Sequence, residues 1–463
     1  MKTFDLQPTH ENILDMFEKD ILNRNIDVLR FVELLNSIDS NCSIALDARW
    51  GAGKTFFVKQ VKLVLDTFNL HIENPHTDDN ERIRLAWNNI KTAEKPDLQP
   101  QISVYYDAWI NDNDEDPILS LVYSILHSVS TDFTFTQKPG FLDVASSIAE
   151  AVSGRSVVAI RDAIRNENLL ESIRSAKSMQ EQVVEFLDSL LAERGNRLVV
   201  FVDELDRCNP AFAIKLLERI KHYFSNSRIT FVFSVNMAEL QHAVRNHYGN
   251  DFDASRYLDR FFDLRIDLPP AQMGRFYQEI GLDCGTNIYE DVCKTVIEQN
   301  HFTLREIIKF YRMARATAYI PTHYSNRYEF SFSGGKAIHF CLMFLVPVMM
   351  GLKICSYSRY EAFVTGKDSS PLHDLLKNEE ISEILHNRLL ANNETYDAAK
   401  QAEHIKLVKV EDKLNALYDA LFIRQYNSSV YEVRVGQMSF NSESRATLLR
   451  TVSALSQYAD FDA

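Results

Sequence analysis

The chain has 463 residues, of which 46% are hydrophobic and 25% are charged, and a formal net charge of −14. This length exceeds one ordinary hydrophobic core and predicts two or three domains, while the acidic balance argues against a protein that coats nucleic acid or anionic membranes. Six scattered cysteines without a C-x-x-C spacing argue against a disulfide scaffold or a zinc ribbon, and they predict reduced thiols in a cytoplasmic protein.

The start of the chain predicts a helical segment, a strand and a phosphate-binding turn in that order. Residues 1–42 have the pattern of a helical lead-in, and residues 43–46 form a short β-type run. Residues 48–55, A-R-W-G-A-G-K-T, then open a helix-type run over residues 56–65. This order is typical of a P-loop, whose backbone N–H groups and helix N-terminus bind nucleoside triphosphate phosphates. The motif assigns nucleotide binding to Trp50, Gly51, Ala52, Gly53, Lys54, Thr55 and Phe56.

Individual residues of this turn have different expected roles. Gly51 and Gly53 let the backbone approach the phosphates closely and adopt a positive φ. Lys54 is predicted to reach the β- and γ-phosphates, and the Thr55 hydroxyl to ligate Mg²⁺. Ala48 stands where many P-loops carry their first glycine, which is a common variation. The expected ligand is a Mg²⁺ nucleotide, and the absence of a G-type base-reading motif favours ATP over GTP.

A second element of the site follows further along the chain. Residues 198–202 form an unbroken apolar run, typical of a central parallel strand buried on both faces, and two carboxylates end it. Open α/β sheets bind their ligands at the carboxyl ends of the strands. Asp203 is therefore predicted to be the Mg²⁺-side carboxylate, and Glu204 the general base that polarises the attacking water.

Three further apolar runs predict the remaining strands. Residues 102–106 end in Asp107, residues 229–235 end in Asn236, and residues 262–268 end in two prolines. Because helix start signals separate these runs, strands alternate with helices, which predicts a parallel α/β sheet. Asn236 is a candidate sensor of the γ-phosphate or the attacking water, and equally a candidate N-cap of the helix that follows.

Short motifs along the chain resemble those of the KAP family of P-loop NTPases. Residues 50–55 resemble its W-G-x-G-K-T signature, and residues 107–109 resemble its Asn-Ala-Trp motif with Asp in place of Asn. Residues 203–208, D-E-L-D-R-C, are similar to its extended Walker B motif. Residues 257–261 and 303–309 resemble its Tyr-Leu-x-Lys-Ile block and its Asn-Pro-Arg-x-x-Lys helix, the latter without the Asn-Pro.

The resemblance, which spans roughly residues 10–320, implies an α/β P-loop NTPase fold of the additional-strand, AAA+-like kind with a helical lid. Many bacterial members carry transmembrane helices between the two nucleotide motifs. Charged side chains interrupt residues 140–168 here, so the resemblance implies a soluble bacterial-type member. Some bacterial members are linked to phage exclusion or defence, and an antiviral role is expected by analogy with them.

The predicted domain organisation places the nucleotide site in the first two thirds of the chain. Residues 43–270 form the α/β core, with insertions near residues 71–100 and 133–174. Residues 271–325 are predicted to form the helical lid, and residues 326–463 a mainly helical accessory domain.

Phosphoryl transfer usually needs a cation near the developing charge. The candidates are Arg207, Arg256, Arg260 and Arg305. By the resemblance, Arg305 reaches over the nucleotide from the lid, and we assign it a catalytic role beside Lys54, Glu204 and Asn236. Arg256 and Arg260 are expected either to act in trans at a subunit interface or to pair with acidic neighbours on the surface.

Arg305 also begins a row of cations, with Lys309, Arg312 and Arg315, along one helix face. The row is consistent with binding of a phosphate tail or a nucleic acid, although a solvated helix face is the commoner explanation of such a row. The net charge gives a nucleic-acid partner no support.

The leading functional prediction is Mg²⁺-dependent ATP hydrolysis that drives a conformational or assembly switch. Its expected partners are further copies of the chain, an effector protein bound through residues 326–463, or both. The alternative is a signalling scaffold that binds nucleotide and hydrolyses it little.

A third alternative is a membrane-associated protein anchored through an apolar run. Residues 337–352 contain 16 residues between two lysines, whereas a membrane span needs about 20 apolar residues. The run is therefore predicted to be a buried helix, and no membrane partner is expected.

Overall fold

The computed structural model describes most of the chain outside one long central segment. The described residues are 6–72, 77–92, 95–114, 116–132, 191, 195–224, 227–282, 288–320, 329–330, 336–395, 406–427 and 431–458. The predicted insertion over residues 133–174, including the charged stretch at 140–168, lies outside the described residues. The chain divides into two compact units, residues 4–276 and residues 277–463, and each is described by itself.

The first unit is built on a five-stranded parallel sheet. Its strands are β1 (Cys42–Asp47), β2 (Gln101–Asp107), β3 (Arg197–Asp203), β4 (Ile229–Val235) and β5 (Leu264–Asp267). They are hydrogen-bonded in the order β2-β3-β4-β1-β5, all parallel. β4 therefore lies between β1, which precedes the P-loop, and the acidic strand β3, as an additional-strand fold requires. The predicted α/β fold class is confirmed.

Helices cover both faces of this sheet, because successive strand residues point to opposite sides. Val200 and Val202 of β3 belong to one hydrophobic core, and Val199 and Phe201 to the other. The helices of the second core are α1 (His10–Glu18), α2 (Asn25–Ser37), α3 (Lys54–Phe68) and α4 (Thr77–Asn89), and those of the first are α5 (Pro117–Asp132), α6 (Pro210–Tyr223), α7 (Met237–Tyr248) and α8 (Ala254–Leu258). β3 and β4 are buried along their whole length, which explains their unbroken apolar sequences.

The predicted insertion near residues 71–100 contains α4, which packs against α1. Ile83 and Trp87 lie four residues apart and are 2% and 3% exposed, so one face of this otherwise polar helix enters the core. On the outside, the Arg82 guanidinium lies 2.7 Å from the Glu18 carboxylate of α1. The buried side chains of this face and the ion pairs of Arg82 with Glu18 and Asp15 therefore hold a helix within the predicted insertion.

Parallel pairing aligns the carboxyl ends of four strands at one edge of the sheet. Asp107 of β2 lies opposite Asp203 of β3, and Asp203 lies opposite Ser234 of β4. Asp47 of β1 lies opposite Val235. Every turn that follows these strands is therefore brought to the same edge, which is where the candidate site forms.

The second unit is mainly helical, as predicted. Its helices are α9 (Gly274–Ile280), of which residues 277–280 belong to this unit, α10 (Ile288–Gln299), α11 (Leu304–Ala318), α12 (Lys336–Phe340), α13 (Val346–Cys355), α14 (Tyr357–Val364), α15 (Ser370–His373), α16 (Glu379–Leu389), α17 (Val410–Tyr418) and α18 (Ser442–Tyr458). Short strands pair as β6 (Tyr319–Ile320) with β7 (Glu329–Phe330), β8 (Glu394–Thr395) with β9 (Lys406–Leu407), and β10 (Val433–Val435) with β11 (Met438–Phe440). The predicted lid and accessory domain both fall largely in this unit, and the boundary between them stays a prediction.

The apolar run of this unit forms a continuous helical segment, Lys336–Cys355, in which α12 and α13 are joined by a π-helical turn. Among the described residues, it is the one helix long and apolar enough to cross a membrane, with a mean hydropathy of 2.0 and 61% of the tested window buried. Gly351 approaches α10 so closely that a Cβ atom there would lie 2.4 Å from Cγ1 of Val296. This packing is typical of a core helix, and core helices can also be long and apolar enough to cross a membrane.

Candidate nucleotide-binding site

The turn between β1 and α3 has the backbone of an anion-binding turn. Gly51 and Gly53 have φ values of 78° and 91°, a left-handed conformation that glycine adopts without a steric penalty. Gly53 is the N-cap of α3, and no side chain of the described chain caps this helix. The amides of Lys54, Thr55 and Phe56 therefore lie in a first turn that has no intrahelical acceptors for them. Together with the helix dipole, they form a site suited to phosphate oxygens.

Lys54 is folded back over this turn. Its Nζ donates to the backbone oxygens of Ala48 (2.6 Å) and Arg49 (3.3 Å), and the residue is 8% exposed. Burial lowers the pKa of its ammonium group, and surrounding carboxylates oppose that shift. These carboxylates belong to Asp206, Asp203, Glu204 and Asp47. The side chain is thus a cation among the carboxylates at this edge of the sheet.

Asp203, at the end of β3, joins this strand to α3. Its Oδ2 accepts hydrogen bonds from the hydroxyls of Thr55 (2.7 Å) and Tyr105 (2.9 Å), and its Oδ1 accepts the backbone N–H of Glu204 at 3.0 Å. The carboxylate is almost fully buried, at 1% exposure. The structure therefore brings together the two residues predicted to ligate the metal, and it adds Tyr105, which the sequence did not single out.

The chemistry of these groups fits Mg²⁺. A hydroxyl oxygen and a carboxylate oxygen are the hard ligands that Mg²⁺ accepts, and protein sites usually supply one or two of them beside phosphate oxygens and water. Thr55 and Asp203 would hold the ion at the N-terminus of α3, next to the first-turn amides.

Glu204, the predicted general base, follows Asp203 in a left-handed turn with φ 61°. This conformation is unusual for a residue with a side chain and recurs at functional sites. Burial, and then the Asp203 charge, raise the pKa of its carboxyl group to about 7, while Arg207 lowers it. A carboxylate with a pKa near the working pH is suited to accepting a proton.

Arg207 lies between Glu204 and two tryptophans. Its Nε is 2.5 Å from Oε2 of Glu204, and its guanidinium carbon lies 5.9 Å from the ring centroid of Trp50 and 5.5 Å from that of Trp109. The indole N–H of Trp50 donates to Oδ2 of Asp206 at 2.5 Å. Three short motifs that are far apart in sequence therefore meet around one guanidinium. The prediction made Arg207 a candidate for contacting the nucleotide, whereas the structure pairs it with the candidate base.

Asp107 and Asn236 end two of the neighbouring strands. Oδ1 of Asp107 accepts the backbone N–H groups of Trp109 and Ile110, each at 3.1 Å. An asparagine Oδ1 accepts the same bonds, so the Asp at this motif position keeps the turn. Asn236 holds the N-cap position of α7, but within the described residues its side chain makes no capping hydrogen bond. Asp47 accepts the Met237 N–H at 2.9 Å, and the sensor role of Asn236 stays a prediction.

Arg24, just before α2, was not found from the sequence. Its guanidinium donates to the backbone oxygens of Ala52 (2.9 Å) and Pro269 (2.6 Å), and the residue is 5% exposed. Burial lowers its pKa to about 10. The helical lead-in thereby anchors the P-loop to the segment that follows β5, a contact between residues too distant in sequence for any local pattern to signal.

The remaining candidate arginines are Arg256, Arg260 and Arg305. Arg256 lies within α8, and Arg260 follows that short helix. In the described part of the chain neither side chain forms an ion pair, so the expected surface pairing is not seen. Arg305 is exposed in the first turn of α11, where Thr303 and Glu306 form a capping box with bonds of 2.8 and 3.4 Å. It belongs to the second unit, and its catalytic role stays a prediction.

Comparison with known proteins agrees with these motifs. The KAP family P-loop domain matches residues 26–311, which is more than half of the chain. No curated protein matches the chain. Among solved structures, the chain is similar to the Aeropyrum pernix ORC2 protein in ADPNP–ADP complexes, with 10% identity and a TM-score of 0.32 over 99% of this chain and 97% of that one, a likeness too distant to carry an argument. On the domain match, the chain belongs to the KAP family of P-loop NTPases.

Proposed function

We propose that the chain is a Mg²⁺-dependent ATPase whose hydrolysis cycle drives a conformational or assembly switch. The observation that carries the proposal is the hydrogen bond of 2.7 Å between Thr55 and Asp203 at the start of α3. It joins the phosphate-binding turn to the strand end at which Glu204, with a pKa of about 7, is the next residue. Metal ligands and a general base are the parts that phosphoryl transfer to water requires.

In this proposal each group has a defined task. The first-turn amides of α3 and the Lys54 ammonium bind the phosphates. Thr55 and Asp203 would hold Mg²⁺, which when bound would supply positive charge near the phosphate oxygens. Glu204 accepts the proton of the attacking water. Because Arg207 occupies Oε2 of Glu204, the other carboxylate oxygen is the one free to accept that proton.

The same ion pair supports a second candidate function, a signalling scaffold that binds nucleotide and hydrolyses it little. A base held at 2.5 Å by a guanidinium is a weaker proton acceptor than a free one. Tight ATP binding with negligible turnover in the wild type, and turnover that rises in Arg207→Met, would favour the scaffold over the ATPase.

The output of the cycle is proposed from the family alone. Nucleotide-dependent assembly would involve further copies of the chain, an effector bound through residues 326–463, or both, in the cytoplasm of a bacterium defending itself against phage. Size measurement with and without a non-hydrolysable ATP analogue tests the assembly step. Plating of phage on cells that express the wild type or Lys54→Ala tests the defence role.

Steady-state ATP turnover tests the enzymatic proposal itself. The wild type is expected to release phosphate in a Mg²⁺-dependent manner, and Lys54→Ala and Glu204→Gln are expected to lose most of that rate. Lys62→Ala is a matched control on the same helix, because its ammonium pairs with Asp66 at 2.5 Å. Equal turnover in all four proteins would contradict the proposal.

A further inference from the structure

Tyr105 of β2 reaches the metal-side carboxylate from the neighbouring strand. Residues 105 and 107 point to the same side of β2, and Asp107 lies opposite Asp203 in the register of the two strands. Tyr105 lies two residues before the end of β2, and its hydroxyl donates a hydrogen bond of 2.9 Å to Oδ2 of Asp203. This is the same oxygen that accepts the Thr55 hydroxyl at 2.7 Å.

The Tyr105 ring is held in place by α3, the helix that begins at the P-loop. Nζ of Lys59 lies 4.5 Å from the ring centroid, a cation–π contact. Two residues earlier on β2, Ser103 donates a hydrogen bond to Asp66 of α3, which also pairs with Lys62. The strand and the helix are thus joined by polar contacts at two levels, and turning the Tyr105 ring away from Asp203 would break the contact with Lys59.

The Tyr105 hydroxyl is the donor in this contact, because the Asp203 carboxylate can only accept hydrogen bonds. Asp203 consequently receives two hydroxyl donors on Oδ2 and one amide on Oδ1, which fixes the plane of the carboxylate.

We propose that Tyr105 is a positioning residue for the metal ion, holding Oδ2 of Asp203 in the orientation that binds Mg²⁺ beside Thr55. The inference rests on the proposed function, since it concerns the same metal site. Groups that orient a metal ligand typically contribute about 10- to 100-fold in metal affinity or activity. Removing this one hydroxyl should therefore weaken metal binding while leaving the phosphate-binding turn intact.

The chain offers a matched control at the next residue. Tyr106 is 1% exposed and points to the opposite side of β2, where its hydroxyl donates to Ser120 at 3.2 Å. Tyr106→Phe thus removes a buried hydroxyl from the same strand without touching Asp203. A merely structural role for Tyr105 predicts similar behaviour of the two variants.

The test measures metal binding without hydrolysis. Free Mn²⁺ is titrated by electron paramagnetic resonance into wild type, Tyr105→Phe and Tyr106→Phe, each saturated with a non-hydrolysable ATP analogue. We expect Tyr105→Phe to raise the Mn²⁺ dissociation constant about tenfold, and Tyr106→Phe to leave it unchanged. Affinity for the analogue in the presence of EDTA should be equal in all three, which also shows that each variant is folded.

The outcomes separate this inference from the function on which it rests. A Mn²⁺ dissociation constant of Tyr105→Phe within twofold of wild type, or an equal rise in both variants, would overturn the positioning role alone. Wild-type protein that binds the analogue without binding Mn²⁺ would overturn the proposed metal-dependent function and the inference with it.

Discussion

The turn before α3 and the turn after β3 lie at the same edge of the sheet, yet different kinds of interaction hold them. The first is shaped by its own backbone, through positive φ angles at Gly51 and Gly53 and the uncapped start of α3. The second is shaped by side chains from elsewhere. Arg207 pairs with Glu204 and lies over the rings of Trp50 and Trp109, which come from two other segments.

Phosphate binding and the proposed catalysis therefore depend on different contacts within the site. Phosphate binding depends on a turn of a few consecutive residues, so its chemistry is local. The orientation and pKa of Glu204 depend on contacts among three segments. Any movement of the P-loop or of the turn after β2 would therefore alter both. A change at the second turn should therefore alter the rate and its pH dependence more than nucleotide affinity.

The largest effect on nucleotide affinity is expected at the first turn, for Lys54→Ala. Loss of a charged hydrogen-bond donor to the phosphates is worth about 2 to 3 kcal/mol, which weakens ATP affinity about 100-fold. Titration with a fluorescent ATP analogue measures it, with Lys62→Ala as the control expected to match wild type. Equal affinities of Lys54→Ala and wild type would remove Lys54 from the phosphate site.

Trp50→Phe should break the link between the two turns. It removes the donor to Oδ2 of Asp206, whose Oδ1 has no hydrogen-bond partner in the part of the chain that the structure describes. Leaving a buried carboxylate with fewer donors should lower the free energy of unfolding by about 1 to 3 kcal/mol. Urea unfolding compares it with Trp109→Phe, which keeps an aromatic ring over Arg207 and should cost less than about 1 kcal/mol. Equal losses in both variants would mean that the Asp206 bond is not what joins the turns.

Arg207→Met should sharpen the distinction through pH. The pKa of Glu204 is raised to about 7 even though Arg207 lowers it, so removing Arg207 should raise that pKa further. The ionised carboxylate is the base, so the acid limb of the turnover profile moves to higher pH and the rate at pH 6.5 falls. A partly exposed ion pair contributes about 1 kcal/mol or less, which limits the fall to about fivefold. Arg207→Lys keeps the charge and should shift the pH profile of turnover less. An unchanged profile in Arg207→Met would mean that the acid limb does not report the ionisation of Glu204.

The smallest effect is expected for Asp107→Asn. Because an amide oxygen accepts the N–H groups of Trp109 and Ile110 as a carboxylate does, the free energy of unfolding should change by less than about 0.5 kcal/mol. Asp107→Ala removes the acceptor and should cost about 1 kcal/mol. Urea unfolding of the pair checks whether this side chain serves the turn through its hydrogen bonds or through its charge.

The sequence predicted the parts of this site that local chemistry determines. Gly51 to Thr55 could be assigned because a glycine turn, a helix start and a Lys-Thr pair are adjacent. Asp203 could be assigned because an unbroken apolar strand ends there. The class of fold followed from the alternation of such strands with helices.

The contacts that tertiary packing creates could not be predicted in this way. Arg24 bonds to Ala52, with α2 and β1 between them in sequence, and Tyr105 reaches Asp203 across a strand pair whose register no local pattern reveals. The pairing of Arg207 with Glu204 could have been predicted, since the two residues lie three apart in one short turn. From the sequence, Arg207 was instead assigned to the nucleotide.

Glu204 is proposed as the base of a hydrolysing ATPase, and the alternative is a scaffold that binds nucleotide and hydrolyses it little. Rapid-quench single-turnover hydrolysis of γ-labelled ATP, with enzyme in excess, isolates the chemical step from binding and release. We expect Mg²⁺-dependent cleavage by the wild type and a cleavage rate about 1,000-fold lower in Glu204→Gln, at unchanged ATP affinity. Cleavage at the same rate in both proteins, or none in either, would contradict it.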